Sequence, residues 1–134
     1  RSTPKPSSAA SDVYKRQLYN AMGKGIEFVS SLGISVIESR VTDLKQQLIN
    51  NIIEIPSVKI KSPISNDIST GMVTFSIDGI SGSDLNKALW NRFEIMGREA
   101  LSDTSMRICI AFFNSESEIS AITSAIETIA QETR

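Results

Sequence analysis

Arg107 is the residue of this chain best placed to do chemistry. Ser105 to Glu118 reads SMRICIAFFNSESE, a strand-like apolar run that carries one arginine and gives way to a helix at Asn114. A guanidinium cannot shed its charge, and desolvating it without an anionic partner is costly. Arg107 therefore either pairs with an acid of its own chain, such as Glu94, Glu99 or Asp103, or holds an acid that comes from outside. Strand alternation puts Met106, Ile108, Ile110 and Phe112 on one face and Arg107, Cys109 and Ala111 on the other. Small neighbours leave space above the guanidinium, which suits a ligand or another domain.

Other reactive residues are few. The chain has no histidine, which excludes Ser-His-Asp and Cys-His nucleophile systems, histidine general bases and histidine metal sites. Its one cysteine, Cys109, sits between two isoleucines and is expected to behave as a small buried hydrophobe. That single cysteine rules out an internal disulfide and suits a reducing, cytoplasmic location. Arg98, beside Gly97, is expected at a strand end in surface or ion-pair duty, and Asn114 at the helix entry. Gly23-Lys24-Gly25 lacks the preceding strand and the spacing of a phosphate loop. Trp90 and Phe93 read as packing residues.

The elements that position Arg107 follow from periodicity. Leu18, Met22, Ile26 and Val29 recur at helical spacing, and Gly33 ends that helix. A second helix carries Ile37, Val41, Leu44, Leu48 and Ile52 on one stripe, with Glu38, Arg40, Asp43, Lys45 and Gln46 largely off it, and closes at Pro56. Ser57–Ser62 alternates apolar and basic residues as a short edge strand, and Asn66–Gly71 is loop chemistry. Met72–Asp78 is the clearest strand, with Val73, Phe75 and Ile77 pointing one way. Ser83 is a natural N-cap for a helix through Leu85, Ala88, Leu89 and Phe93. Glu94–Arg98 could form a short strand, and Ser102–Thr104 a tight loop before the Arg107 strand. Ser115 and Glu118 have capping-box spacing, and Ile119, Ile122, Ile126 and Ile129 line the helix that follows, to about Thr133. The sequence thus predicts an α+β two-layer sandwich: a small, mostly antiparallel sheet with helices on one side, preceded by two consecutive helices.

With 134 residues, 40% hydrophobic and 22% charged, the chain has the composition of one soluble globular domain. No apolar run is long enough to span a membrane, and no signal-peptide stretch opens the sequence. The first seventeen residues stand apart. Ser7–Gln17, SSAASDVYKRQ, is similar to the in-frame translation of a transposase-based sequencing-library adapter, so residues 1–17 are expected to be a non-native tail of metagenomic origin. Setting aside Arg1, Lys5, Lys15, Arg16 and Asp12 takes 14 basic and 15 acidic residues to 10 and 14, a net charge near −4. That balance argues against a nucleic-acid partner. A reading frame entered from an adapter is also expected to be a fragment.

From MVTFSIDG onward the chain resembles the C-terminal small domain of class V aminotransferase-like enzymes. The family closes on an arginine in a strand, a Tyr-Asn-Thr or similar, and an acidic helix start; here these are Arg107, Phe113-Asn114-Ser115 and Glu116 with Glu118. The likeness covers Leu18 to Arg134 and is most specific in its last third. It implies a fold-type-I pyridoxal-phosphate enzyme, with Arg107 binding the α-carboxylate of an amino-acid substrate through a guanidinium fork. Arg98 would be a weaker second substrate contact.

The resemblance also implies what is missing. The Schiff-base lysine, the aspartate on the pyridine nitrogen and the phosphate loop belong to an N-terminal large domain, and neither Lys24 nor Lys87 has such a context. The expectation is a fragment, 18–134, inactive alone and holding no cofactor, from an enzyme that is usually a homodimer. Transamination is the default chemistry, with epimerisation or lyase chemistry beside it. Glu99–Ser105 carries no cysteine, which counts against a desulfurase. The competing expectation is a free-standing α+β module that binds a small ligand or dimerises without catalysis.

Overall fold

The computed structural model describes residues 8–65 and 70–133. The chain divides after Ile37 into two units. The first holds helix α1 (Ser8–Leu32) and the start of α2 (Ile34–Ile53). α1 begins ten residues before Leu18, within the adapter-like stretch, and residues 1–7 lie outside the described residues. Gly33, at φ 86°, ends it as expected, because that conformation carries no Cβ penalty for glycine. The apolar stripe of α1 is largely exposed: Leu18, Met22 and Ile26 are 65%, 63% and 57% accessible.

The second unit, Glu38–Arg134, contains the sheet. Its elements are the rest of α2, β1 (Val58–Ile60), β2 (Met72–Ile77), α3 (Gly82–Phe93), β3 (Arg98–Ala100), β4 (Ser105–Cys109) and α4 (Glu116–Glu132). The strands lie in the order β1-β2-β4-β3, each pair antiparallel. Val73, Phe75 and Ile77 of β2 and Met106 and Ile108 of β4 form one core with Leu44, Leu48, Ile49 and Ile52 of α2, Leu85 and Leu89 of α3, and Ile119, Ile126 and Ile129 of α4. One sheet face is therefore covered by helices, in the predicted two-layer α+β arrangement. Burying Val73, Phe75 and Met106 completely contributes roughly 1.5–3 kcal/mol each.

Two close backbone approaches hold β4 in place. A Cβ on Gly82 would lie 2.3 Å from the Ser105 carbonyl oxygen, so only glycine lets the start of α3 sit against the first residue of β4. Gly71 likewise stands where a Cβ would meet the Ile110 carbonyl at 2.3 Å, and its own carbonyl accepts the Ile110 N–H at 2.8 Å.

Several expectations need correction. The N-cap of α3 is Ser81, whose hydroxyl accepts the Asp84 N–H at 3.1 Å; Ser83 lies inside the helix, and its N–H is taken by Asp103. Glu94–Gly97 is not strand: Glu94 is the left-handed C-cap of α3, at φ 58°, and β3 starts only at Arg98. Lys45 lies on the buried stripe of α2 rather than off it, 1% accessible beside Leu44, Leu48 and Ile49. Trp90, expected to pack, is 51% exposed, while Phe93 does pack against the core.

Candidate functional site

Arg107 sits in the middle of β4, between β2 and β3. Its register partners are Thr74 on β2 and Arg98 on β3, so these three residues form one row across the sheet. Met106 and Ile108, on either side of it in sequence, are buried under the helices. The row therefore belongs to the opposite face, as the alternation predicted. That face is the more open one. Arg107 and Thr74 are half-buried, Arg98 is exposed, and so is Cys109. The expectation of a buried Cys109 fails because it lies opposite the core-side residues Met106 and Ile108, on which α2, α3 and α4 pack.

The acids that could have neutralised Arg107 are placed elsewhere. Asp103 turns to the start of α3, where its carboxylate accepts the Ser83 N–H at 2.5 Å and the Ser83 hydroxyl at 3.1 Å. Glu99 pairs in register with Met106 and so falls on the other side of the strand from Arg98. Glu94 caps α3. Among the described residues, neither Arg107 nor Arg98 makes a salt bridge, whereas Arg40 and Arg92 do. Arg107 Nε is buried with no hydrogen-bond partner, and so is the Ser105 hydroxyl two residues before it. A desolvated donor attached to a fixed charge is costly unless an acceptor meets the rest of the guanidinium.

The loop joining β3 to β4 is tight and unusual. Leu101, Ser102 and Asp103 are all left-handed, at φ 53°, 53° and 66°, and none is glycine. Asp103 anchors this turn to α3 through its side chain and through its carbonyl, which accepts the Gly82 N–H at 2.8 Å. The strain is local, of the order of 1–3 kcal/mol per residue, and the anchoring holds it.

Below β4 the α4 entry is fixed by the residues of the expected closing motif. Asn114 is a helix-entry residue: its side-chain oxygen accepts the Ala111 N–H at 2.8 Å. Ser115 and Glu118 form the capping box, with the Ser115 N–H donating to Glu118 at 2.7 Å. The backbone donor at Ser115, helped by the Ser115 hydroxyl and the Asn114 amide, holds the Glu118 carboxyl below its usual range. Sequence reasoning missed Arg40, whose guanidinium grips Glu116 and donates to the Asn114 carbonyl at 3.0 Å. Nothing in the α2 pattern marks Arg40 apart from the charges around it.

Two hollows of about 400 Å³ lie near the row without enclosing it. One, between the end of α3, β4 and α4, has mixed walls: Phe93, Ile108 and Ile122 beside Glu94, Asn114 and Glu118. The other, at the β3 edge, is lined by Asn86, Met96, Gly97, Arg98 and Glu99. Arg107 lines neither.

The class V aminotransferase family model matches residues 17–122. The chain belongs to the class V aminotransferases. This is a pyridoxal-phosphate-dependent family, and the match begins at Gln17, the last residue of the adapter-like stretch. Isopenicillin N epimerase of Streptomyces clavuligerus is 27% identical over 115 residues, which are 84% of this chain and 29% of that protein. Among solved structures, a cysteine desulfurase from Thermococcus onnurineus NA1 has a TM-score of 0.73 at 19% identity, covering 81% of this chain and 29% of the other. A cysteine desulfurase from Escherichia coli gives 0.68 at 18%, covering 81% and 29%. At these identities the likeness is one of fold. This class V aminotransferase chain spans less than a third of the length of those relatives.

The residues described here do not fit a pyridoxal-phosphate site. Lys24, Lys59 and Lys87 are exposed and paired with Glu27, Asp78 and Asp84. Lys45 is buried on the core side of the sheet, opposite the face that carries Arg107. None of these lysines stands with Arg107. Among the described residues no cluster of acids and cysteine is arranged to hold a metal, and no helix is long and apolar enough to cross a membrane.

Proposed function

We infer that residues 18–134 are the substrate-carboxylate-binding small domain of a class V enzyme acting on an amino acid, with residues 1–17 an adapter-derived tail. The observation that carries this reading is Arg107: a fixed cation on the sheet face opposite the core, with a buried unpartnered Nε and no ion pair among the described residues. A guanidinium offers two parallel N–H donors to a planar carboxylate, which sets both the position and the orientation of the molecule that carries it. Holding the substrate by that end fixes where its α-carbon stands, which is the chain's contribution to the reaction. The catalytic lysine and the cofactor site would lie on a large domain outside these residues, and the chain alone would be inactive. The whole enzyme would be a cytoplasmic homodimer.

Within the family, transamination or epimerase and lyase chemistry fits better than desulfuration. Glu99–Ser105 contains no cysteine, and its turn is tied down by Asp103 rather than left as a long arm. The test is Arg107→Ala in an enzyme containing this chain. Losing a charge-assisted contact of about 1.5–3 kcal/mol should raise KM and lower kcat/KM on the order of 10- to 100-fold. A variant with unchanged kinetics and only a lower melting temperature would make Arg107 a structural residue.

A further inference from the structure

Arg107 does not stand alone on its face. Arg98 is its register partner across the β3–β4 ladder, and the two occupy one non-interrupted row with Thr74. Directly opposed residues of an antiparallel pair have Cβ atoms about 4.5–5.5 Å apart, and like charges so placed repel. The usual relief is an acid between them or beside them. Here the local acids are committed elsewhere: Asp103 to Ser83, Asp78 to Lys59, Glu99 by register to the other side of β3. Neither arginine forms an ion pair among the described residues. One carboxylate satisfies one guanidinium fork, and a second fork at neighbouring reach calls for a second anion.

We propose that Arg98 and Arg107 together read an amino-acid substrate bearing two anionic groups, Arg107 holding the α-carboxylate and Arg98 an acidic group on the side chain. This rests on the carboxylate role of Arg107 and adds the substrate class. Arg98 suits the outer position: it is exposed on the edge strand and stands next to Arg107 in register, so a side chain extending past Arg107 along the row meets it. The second group can be a carboxylate or a phosphate, since both accept a guanidinium fork.

The test is a titration of the 134-residue chain followed by amide chemical shifts, at fixed ionic strength, with L-norvaline, L-glutamate and O-phospho-L-serine. Either dianionic ligand is expected to bind roughly tenfold more tightly than norvaline, a step of one decade in Kd. Whichever does so identifies the second group. Arg98→Gln should remove that advantage and leave norvaline binding in place, while Arg98→Lys, which keeps the charge, should retain part of it. Arg107→Gln should remove binding of all three. Equal affinity for the three ligands, or an Arg98→Gln variant that weakens norvaline as much as glutamate, overturns the two-anion assignment while leaving the carboxylate role intact. Norvaline binding that survives Arg107→Gln overturns the carboxylate role itself. Native amide dispersion of each variant separates loss of binding from loss of fold.

Discussion

Arg40 of α2 and Glu116 of α4, 76 residues apart, form a two-pronged ion pair across the entry to the last helix. The same guanidinium also donates to the Asn114 carbonyl, so it fixes both the turn after β4 and the first turn of α4. The Arg40 hydrogen bond, with a backbone donor at Glu116 itself, brings the Glu116 carboxyl from the ordinary 4.5 down to about 2. A carboxyl whose folded pKa is depressed contributes stability above its unfolded value and loses it as pH falls through the folded one. The pair therefore acts fully above about pH 4.5 and fades towards pH 2. Glu118, Glu132 and Asp84 are shifted the same way and share the direction. Melting temperature should fall with acid across this window, and less steeply in Glu116→Gln. Parallel pH profiles for the two proteins would show that the pair adds nothing.

The start of α4 gives a second handle. Ser115→Ala removes the hydroxyl that accepts the Glu118 N–H and leaves a helix-start donor without its cap. The expected cost is about 1 kcal/mol. Urea denaturation should show a lower midpoint with an unchanged slope, because the surface exposed on unfolding stays the same. A Ser115→Asp variant should recover most of the loss, as aspartate caps equally well.

Gly82 tests the packing behind Arg107. A Cβ there meets the Ser105 carbonyl oxygen at 2.3 Å and its carbon at 2.9 Å, and both belong to the backbone of β4. Gly82→Ala must push α3 and β4 apart, at about 1–3 kcal/mol. Since Ser105 precedes Arg107 by two residues, the shift should also appear in the amide signals of Thr74 and Arg98, the register partners of Arg107. If Gly82→Ala melts like the parent chain, the close approach is not as drawn.

Much of this architecture can be read from the residues, and the failures have physical causes. Alternation in β2 and β4 and the capping box at Ser115 are local patterns with one solution each, and all three appear. The α3 start is misplaced at Ser83 because serine is a good cap by type; Asp103, twenty residues on, takes the Ser83 N–H and leaves the cap to Ser81. Lys45 defeated the pattern because its charge argued against a core position that its spacing from Leu48 and Ile52 favoured. The opposition of Arg98 and Arg107 was not legible either. It depends on the register of the β3–β4 hairpin, and three successive non-glycine left-handed residues set that register without any turn signature.

Cys109 offers the most direct check on which sheet face is open. Flanked by Ile108 and Ile110, both buried, it looks like a core residue, yet it shares the face of Arg107 and is exposed. An accessible thiol should react with a neutral alkylating reagent in the native chain at a rate close to that of the unfolded chain. A buried thiol would react only through opening of the fold, slower by the opening equilibrium. Saturating L-glutamate should slow the native reaction if the ligand lies along the row beside Cys109, and L-norvaline should slow it less. Slow modification that speeds up only in denaturant would mean that the face bearing Arg107 is covered, and the carboxylate-binding role would then lose its site.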